Sequence, residues 1–175
     1  MQIKTTPEKA LKRKYPEQVA LVTTRSRAGR CNVMAVGWLA VASGDPPMFS
    51  LAIDAGAFTY RLLRATREFV VAFPSEQMAA EVLFVGSHHG HRLDKFARTG
   101  LKTQPGAVVK APLLAEAVAN FECRLVRIIK PGDCPLIIGR VVAAHQHRQR
   151  AVRRLFTLGP GHRLGTGERL RRHAR

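Results

Sequence analysis

The stretch from Val19 to Pro74 constrains the fold more than any other part of this chain. Short apolar segments alternate there with turns, the clearest of which is Ser43–Pro47. Because proline cannot donate to a strand ladder, this turn ends the strand before it. We therefore predict a β-meander with strands at 19–24, 31–41, 48–53 and 69–73, and a helix at 58–66 before the last strand.

The remainder of the chain shows the same alternation of short apolar segments and turns. Its patterns predict short helices at 75–85 and 93–99, and strands at 119–129, 136–145 and 155–158. Several antiparallel strands with short helical insertions in one domain favour a closed or partly closed barrel. Strands do not alternate regularly with long helices, which disfavours a Rossmann sheet. The predicted fold class is mainly β with short helices.

The length of 175 residues fits one domain with a real core. We place that domain at 16–166, between a basic N-terminal arm at 1–15 and a basic C-terminal tail at 167–175. The longest apolar run, residues 33–42, is far shorter than the roughly 20 residues of a membrane helix. The Lys-rich start is not followed by the apolar core of a signal peptide. We therefore expect a soluble cytoplasmic protein without a membrane partner.

The formal net charge of +17 is concentrated at the two ends of the chain. Residues 1–30 carry a net +6 and residues 145–175 a net +8, whereas the long middle carries only +3. Basic ends can bind polyanions, so a nucleic-acid-binding module that uses its termini is an alternative from another functional class. Aromatic residues are not interleaved with the basic ones, which makes nucleic acid the weaker alternative.

Neither the cysteines nor the histidines are spaced like metal ligands. Cys31, Cys123 and Cys134 are widely separated and form no CxxC pair, so we interpret them as reduced thiols. The histidines at 88, 89 and 91 lie in one loop without an adjacent carboxylate or cysteine ligand. We predict no metal site.

The predicted strand at 31–41 has two distinct faces. Alternation puts Asn32, Met34 and Trp38 on one face, and the small residues Ala35 and Gly37 on the other. Small residues allow the backbone to approach a flat aromatic ring. On periodicity alone, however, a plain core strand with Trp38 as a large buried hydrophobe is the better interpretation.

Two polar residues beyond this strand could bind an anion. Thr59 stands where a helix begins, so its hydroxyl either caps that helix or joins the free amides in binding a phosphate. Capping is the better interpretation when the residue is taken alone. Lys95, on the short helix at 93–99, is a candidate second phosphate contact, although a lone lysine is usually a solvated charge.

Three further segments, together with the meander, make the chain similar to a known family. The loop and helix at 86–101 (GSHHGHRLDKFARTGL), the strand at 136–145 (LIIGRVVAAH) and the segment at 158–165 (LGPGHRLG) occur in the order of its motifs. Over residues 16–166 the chain resembles the flavin-reductase-like, FMN-binding split-barrel family, which includes flavoredoxins and flavin reductase components. In the loop, His89, His91 and Arg92 depart from the S-G-R-D pattern of the family.

The resemblance implies a split β-barrel, a homodimer and non-covalently bound FMN. It implies that Thr59 and Lys95 lie toward the phosphate of the flavin. The full set of cofactor-binding residues that it implies is Asn32, Met34, Trp38, Ser43, Thr59, Ser87 and Lys95.

The resemblance also implies the chemistry. NADH or NADPH donates a hydride to FMN, and the electrons pass to free flavin, a partner monooxygenase or another acceptor. No side chain is assigned a catalytic role, because the flavin itself carries out the reaction. Cys134, near the flavin, replaces a histidine that the family often has before its penultimate strand. That exchange leaves an alternative open, an FMN electron carrier without efficient NAD(P)H turnover.

Overall fold

The computed structural model describes residues 1–167. Residues 168–175, most of the predicted basic tail, lie outside the described residues. The chain is mainly β with short helices, as predicted. The helices are α1 (Pro7–Leu11), α2 (Phe58–Thr66), α3 (Ala79–Ser87) and α4 (Lys95–Thr99). The strands are β1 (Glu17–Gln18), β2 (Ala20–Arg25), β3 (Cys31–Val36), β4 (Leu39–Gly44), β5 (Pro47–Ala52), β6 (Glu68–Phe73), β7 (Thr103–Gln104), β8 (Leu113–Leu114), β9 (Ala119–Ile129), β10 (Leu136–Gln146), β11 (Leu155–Gly159) and β12 (Arg163–Thr166).

The main sheet is a split barrel of seven antiparallel strands in the order β3-β2-β6-β9-β10-β5-β4. Its two edge strands, β3 and β4, follow each other in the chain and are joined only by Gly37 and Trp38. The backbone N–H of Ala52 donates to the Trp38 carbonyl at 3.0 Å and ties this link to β5. Because both edges of the sheet meet at the link, the sheet must curl on itself, and it stays open where β3 and β4 separate.

The link corrects the prediction of one strand at 31–41. The chain has to pass from one edge of the sheet to the other, and it turns at Gly37–Trp38, where the Leu39 N–H donates to the Gly37 carbonyl at 3.0 Å. The helix predicted at 75–85 is also displaced. A 3-10 turn at Glu76–Met78 precedes α3, which continues to Ser87.

Two apolar clusters lie on opposite faces of the sheet. Inside the barrel, the fully buried ring of Phe69 lies against Gly139 so closely that a Cβ at Gly139 would collide with it. Burying one such ring contributes about 2 kcal/mol. On the outer face, α3 covers the sheet through Val82 and Val85. Strand β2 is buried on both faces, which explains why its residues 20–24 are all apolar or threonine.

A second, three-stranded sheet brings the two ends of the described chain together. It has the order β1-β11-β12, so the segment just after α1 pairs with the last strands. No helix within residues 1–167 is long and apolar enough to cross a membrane.

Candidate functional site

Two adjoining cavities lie between β3, the N-terminus of α2 and the C-terminal part of α3. The polar cavity, about 450 Å³, is lined by Asn32, Thr59 and Lys95 among others. The tryptophan cavity, about 640 Å³, is lined by Trp38 together with Tyr15 and residues of α3. Met34, Ala35, Asp54 and Gly86 line both, so the two form one continuous trough. Each volume is in the range of small-molecule sites.

Lys95 is the most unusual residue of the polar cavity. The side chain is only 4 % exposed, although lysine is almost never buried without a partner. Its Nζ donates to the Val85 carbonyl at 2.6 Å, and it forms no ion pair with a carboxylate among the described residues. Burial lowers the pKa of Lys95 to about 8. Two of its three N–H donors therefore remain for an anion in the cavity.

Thr59 and Asn32 form a buried polar pair next to this lysine in the cavity wall. The Asn32 amide donates to the Thr59 hydroxyl at 2.8 Å, and both side chains are nearly fully buried. Alternation along β3 brings Asn32 to the cavity, and the first turn of α2 brings Thr59. The Thr59 hydroxyl keeps its own hydrogen to donate to a ligand.

The N-terminus of α2 presents backbone amides without a side-chain cap. The N-cap residue is Ala57, and no side chain accepts from the first turn, so the capping interpretation of Thr59 is wrong. Asp54 shapes the preceding loop, because its carboxylate accepts from the Gly56 N–H at 2.7 Å. Uncapped amides and the helix dipole favour a negative charge at this end of the helix.

Gly90 closes the polar cavity from the opposite side. A Cβ at this position would collide with the Asn32 amide, so only glycine allows the loop to lie this close to β3. The Arg30 guanidinium holds the loop by donating to the Gly90 carbonyl at 2.6 Å. The glycine is visible in the sequence, but its partner on β3 is not, so sequence reasoning missed this role.

The tryptophan cavity is more apolar than the polar cavity. Trp38 is 57 % exposed, which corrects the interpretation of this residue as a buried hydrophobe. The small residues beside it are explained by packing. A Cβ at Gly86 on α3 would touch the Ala35 side chain at 3.4 Å, and a Cβ at Gly37 would meet the Glu17 carboxylate at 3.3 Å.

The structure brings most of the predicted site residues together. Asn32, Met34, Thr59 and Lys95 line the polar cavity, and Met34, Trp38 and Ser87 line the tryptophan cavity. The Ser87 hydroxyl donates to the Leu83 carbonyl at 2.9 Å within its own helix.

Ser43 and Cys134 do not line either cavity. Ser43 lies on the edge strand β4, opposite Met48. Cys134 precedes β10, and partial burial with the nearby charges of Asp133 and Asp54 raises the pKa of its thiol. The thiol therefore stays protonated near neutral pH and is not a nucleophile.

Further cavity residues were not among the predicted contacts. Arg92 extends the positive charge of the polar cavity, and His91 and Phe58 form part of its wall. Within residues 1–167, no group of three or more histidine, cysteine, aspartate or glutamate residues is arranged to hold a metal ion. The trough thus offers a cationic end for an anion and an apolar end with an exposed aromatic ring.

Comparison with known proteins agrees with this geometry. The family model for the flavin reductase like domain matches residues 12–158. An uncharacterized protein of Pyrococcus abyssi is 35% identical over 129 residues, which cover 74% of this chain and 73% of that protein. The NADH:riboflavin 5′-phosphate oxidoreductase of Streptomyces pristinaespiralis is 27% identical, over 71% of this chain and 68% of its own length.

A solved structure supports the fold assignment. An FMN-binding protein from Thermus thermophilus superposes with a TM-score of 0.82 at 28% identity, over 95% of this chain and 94% of that one. The predicted split barrel is confirmed by this likeness and by the topology of the main sheet.

Proposed function

The chain belongs to the flavin reductase-like domain family, and from this premise we propose that it binds FMN and catalyses electron transfer from NADH or NADPH. The observation that supports this most is Lys95, a buried ammonium with one protein acceptor, which lines the same cavity as Thr59 and the uncapped N-terminus of α2. A phosphate supplies the negative charge and the acceptor oxygens that these groups lack.

The two ends of the trough match the two ends of FMN. The phosphate would be held by Lys95 and Thr59 in the polar cavity, and the isoalloxazine would occupy the tryptophan cavity, with Met34 where the two cavities join. Bound FMN supplies the redox chemistry by accepting a hydride and later releasing two electrons. The protein holds the ring in a fixed orientation, and Trp38 stands exposed at the side of the trough, where a nicotinamide enters.

A spectroscopic titration tests this proposal. FMN added to the flavin-free protein should stay bound through gel filtration, and anaerobic NADH or NADPH should then bleach the flavin absorbance. Riboflavin, which lacks the phosphate, should bind at least about tenfold more weakly than FMN, as expected for the loss of one charge-assisted contact. Failure to bind FMN, or equal affinity for the two flavins, would contradict the proposed site.

The second candidate function is an FMN electron carrier without efficient NAD(P)H turnover. It rests on the sequence difference at Cys134, a thiol where the family often has a histidine, although Cys134 itself lines neither cavity of the trough. The same titration separates the two functions. The FMN of a carrier should stay oxidised when NADH or NADPH is added. It should be reduced by dithionite and then reoxidised by a protein acceptor. Steady turnover with either nicotinamide excludes the carrier.

The electron acceptor is free flavin or a partner monooxygenase. The support is the openness of the trough on the Trp38 side, where a second flavin or a docked protein can approach. A reductase that serves free flavin oxidises NAD(P)H with excess FMN alone. A reductase that serves an oxygenase requires the partner for full turnover.

We also expect a homodimer. The edge strand β4 has no charged residue, and Ala40, Val41 and Ala42 are exposed along it. Bare apolar edges invite pairing unless they are covered, and a second copy of this chain covers it symmetrically. Sedimentation equilibrium should give a dimer for the protein and a monomer for Val41→Lys. A monomeric wild-type protein at micromolar concentration would contradict this expectation.

A further inference from the structure

A basic surface, which we call the arginine face, runs along the exposed side of α2. Three adjoining cavities lie on it: the polar cavity shares Phe58 and His91 with a cavity of about 620 Å³, which shares Ala65 with one of about 560 Å³. The exposed cationic side chains that line or border these cavities are Arg25, Arg27, Arg30, Arg61, Arg64, Arg92 and Lys110. Positive charge therefore extends along the whole of α2, a helix about 13 Å long.

The described part of the protein does not balance this charge. Within residues 1–167, none of these seven cations forms an ion pair with a carboxylate, whereas three cations elsewhere on the surface do. The acidic residues that line the three cavities are Asp54 and Glu68. Each of these carboxylates accepts from a backbone N–H, at 2.7 Å and 3.1 Å. The arginine face thus keeps a positive potential that attracts a negatively charged partner.

Several guanidinium groups of the arginine face are held in place by the fold. Those of Arg30 and Arg61 lie 5.3 Å and 4.8 Å from the centre of the Phe58 ring. The guanidinium of Arg27 donates to the Ala65 carbonyl at 3.2 Å. A guanidinium has five N–H donors, so each of these groups keeps donors for carboxylates of a partner. Because the side chains are already positioned, little conformational entropy is lost when such a partner binds.

We infer that the arginine face is the docking surface of an acidic redox protein that accepts electrons from the bound flavin. This inference rests on the proposed function, because the face includes the polar cavity in which the flavin phosphate would bind. Reduced FMN gives up two electrons to the redox centre of the partner, and its protons pass to water. Complementary charge speeds the association of two proteins and suits the small, transient interfaces of electron-transfer partners.

The size of a protein partner also fits this position. Even a small interface of about 600 Å² per partner extends beyond a helix of this length. A protein docked on α2 therefore also covers the neighbouring trough, where the isoalloxazine would lie.

A nucleic acid fits the arginine face less well. Nucleic-acid sites combine cations with aromatic rings that stack on bases. Here the Phe58 ring is faced by two guanidinium groups, and Tyr60 is only 4 % exposed. A nucleic acid also accepts no electrons from a flavin in the trough.

The first test measures electron transfer from the FMN-loaded protein after anaerobic photoreduction. The acceptor is cytochrome b5, an acidic haem protein that takes one electron at its iron, so two molecules reoxidise one flavin. Its reduction rate should fall about tenfold in Arg61→Gln/Arg64→Gln, because electrostatic steering is weakened. Arg148→Gln/Arg150→Gln is the matched control, since it removes the same charge from two exposed arginines outside the three cavities. Cytochrome c, a basic haem protein, should be reduced at least as fast by the Arg61→Gln/Arg64→Gln variant as by the wild type.

The second test does not require the flavin. Fluorescence anisotropy measures the affinity of the protein for labelled poly-L-glutamate, which stands in for an acidic protein surface. This affinity should fall about tenfold in Arg61→Gln/Arg64→Gln and much less in the control variant, and it should weaken as salt screens the charges. Duplex DNA of similar charge is the comparison ligand.

Each outcome supports or overturns the inference. Equal losses in the two double variants would mean that only the net charge of the chain matters, and the inference would be wrong. The same holds if DNA binds more tightly than polyglutamate and depends on Arg61 and Arg64. If cytochrome b5 is reduced at one rate by all variants while FMN binds normally, the inference is overturned and the proposed function stands. If polyglutamate binding depends on the two arginines but FMN does not bind, the acidic docking surface stands and the proposed function fails, together with the role in electron transfer.

Discussion

Two charged side chains are buried within residues 1–167, and the protein surrounds them with very different numbers of hydrogen-bond partners. Glu122 on β9 is fully buried, and its carboxylate accepts from the N–H groups of Ala107, Val108 and Val109 at 2.8, 2.7 and 2.6 Å. His145 Nε2 completes the set by donating at 2.7 Å. Lys95 is nearly as deeply buried, yet its ammonium has a single protein acceptor.

The difference supports our proposal that Glu122 has a structural role and Lys95 a role in binding. Burial works to raise the pKa of Glu122, but the hydrogen bonds from Val109, His145, Ala107 and Val108 outweigh it, and the pKa lies below its ordinary value. For Lys95 nothing offsets burial, and its pKa falls to about 8. A buried charge that the fold satisfies stabilises the fold, whereas one that the fold leaves short of partners is completed by a ligand.

The largest expected effect is on stability, at Glu122. Replacing it by alanine leaves three loop amides and His145 without their acceptor, and we expect the free energy of unfolding to fall by about 3 kcal/mol. Urea denaturation measures this. FMN affinity should stay within about twofold of the wild type, because the loop at 107–109 lines no part of the trough. A twofold change is well below the tenfold change that corresponds to about 1.4 kcal/mol.

The control for this variant is another glutamate. Glu116 pairs with Lys102 at 3.5 Å on the surface, so Glu116→Ala should change the free energy of unfolding by less than about 1 kcal/mol. Equal losses in the two variants would mean that the network around Glu122 contributes no more than a surface ion pair.

The second prediction concerns Lys95, where we expect a loss of FMN affinity without a loss of stability. Lys95→Met keeps the apolar stem but removes the charge, so FMN affinity should fall about a hundredfold while the flavin-free protein stays as stable or becomes more so. Riboflavin affinity should not change, because riboflavin has no phosphate. Isothermal titration with each flavin measures the affinities, and Lys102→Met serves as a control at a surface lysine. A variant that is less stable than the wild type but keeps its FMN affinity would make Lys95 a structural residue like Glu122.

The third prediction concerns the neutral partner of this lysine in the cavity wall. Thr59→Val keeps the shape of the side chain but removes its hydroxyl, and FMN affinity should fall about tenfold. Thr59→Ser retains the hydroxyl, and its FMN affinity should stay within about threefold of the wild type. That change is smaller than the tenfold change, about 1.4 kcal/mol, expected for the valine variant. Similar affinities for the valine and serine variants would remove Thr59 from the phosphate site.

The sequence predicts most of the longer strands, and six of the seven predicted cofactor-binding residues line the cavities, but the sequence does not predict the burial and partners of their side chains. Alternation along β3 brings Met34 to the trough as expected, since strand periodicity is a local property. The burial of Lys95 is set by α3 packing over it, and the break at Trp38 by closure of the barrel. Both depend on contacts between segments far apart in the chain, which a local pattern does not contain.

The Glu122 network shows the same limit from the other side. Its four donors come from a loop about fifteen residues earlier in the chain and from the neighbouring strand β10. Donors this far from Glu122 along the chain produce no recognisable sequence motif, so no role for Glu122 is predicted from the sequence. The position of Arg30 and Arg61 at the Phe58 ring was not predicted for a related reason, because these arginines come together only where the loop before β3 approaches α2.

The smallest predicted effect on FMN affinity is its pH dependence. The stability of the flavin-free protein should change with pH in the opposite direction. The pKa of Lys95 is about 8 in the folded, flavin-free protein and about 10.4 in an unfolded chain, so the unfolded chain holds this proton more tightly. Stability should therefore rise with pH between these two values. FMN affinity should fall about fourfold from roughly pH 7 to pH 8.5, because the folded lysine loses its charge while the flavin phosphate, with a second pKa near 6, keeps its own. Lys95→Met should abolish both trends. A wild-type affinity that is flat over this range would mean that the ammonium does not contact the phosphate, and the contrast with Glu122 would then rest on burial alone.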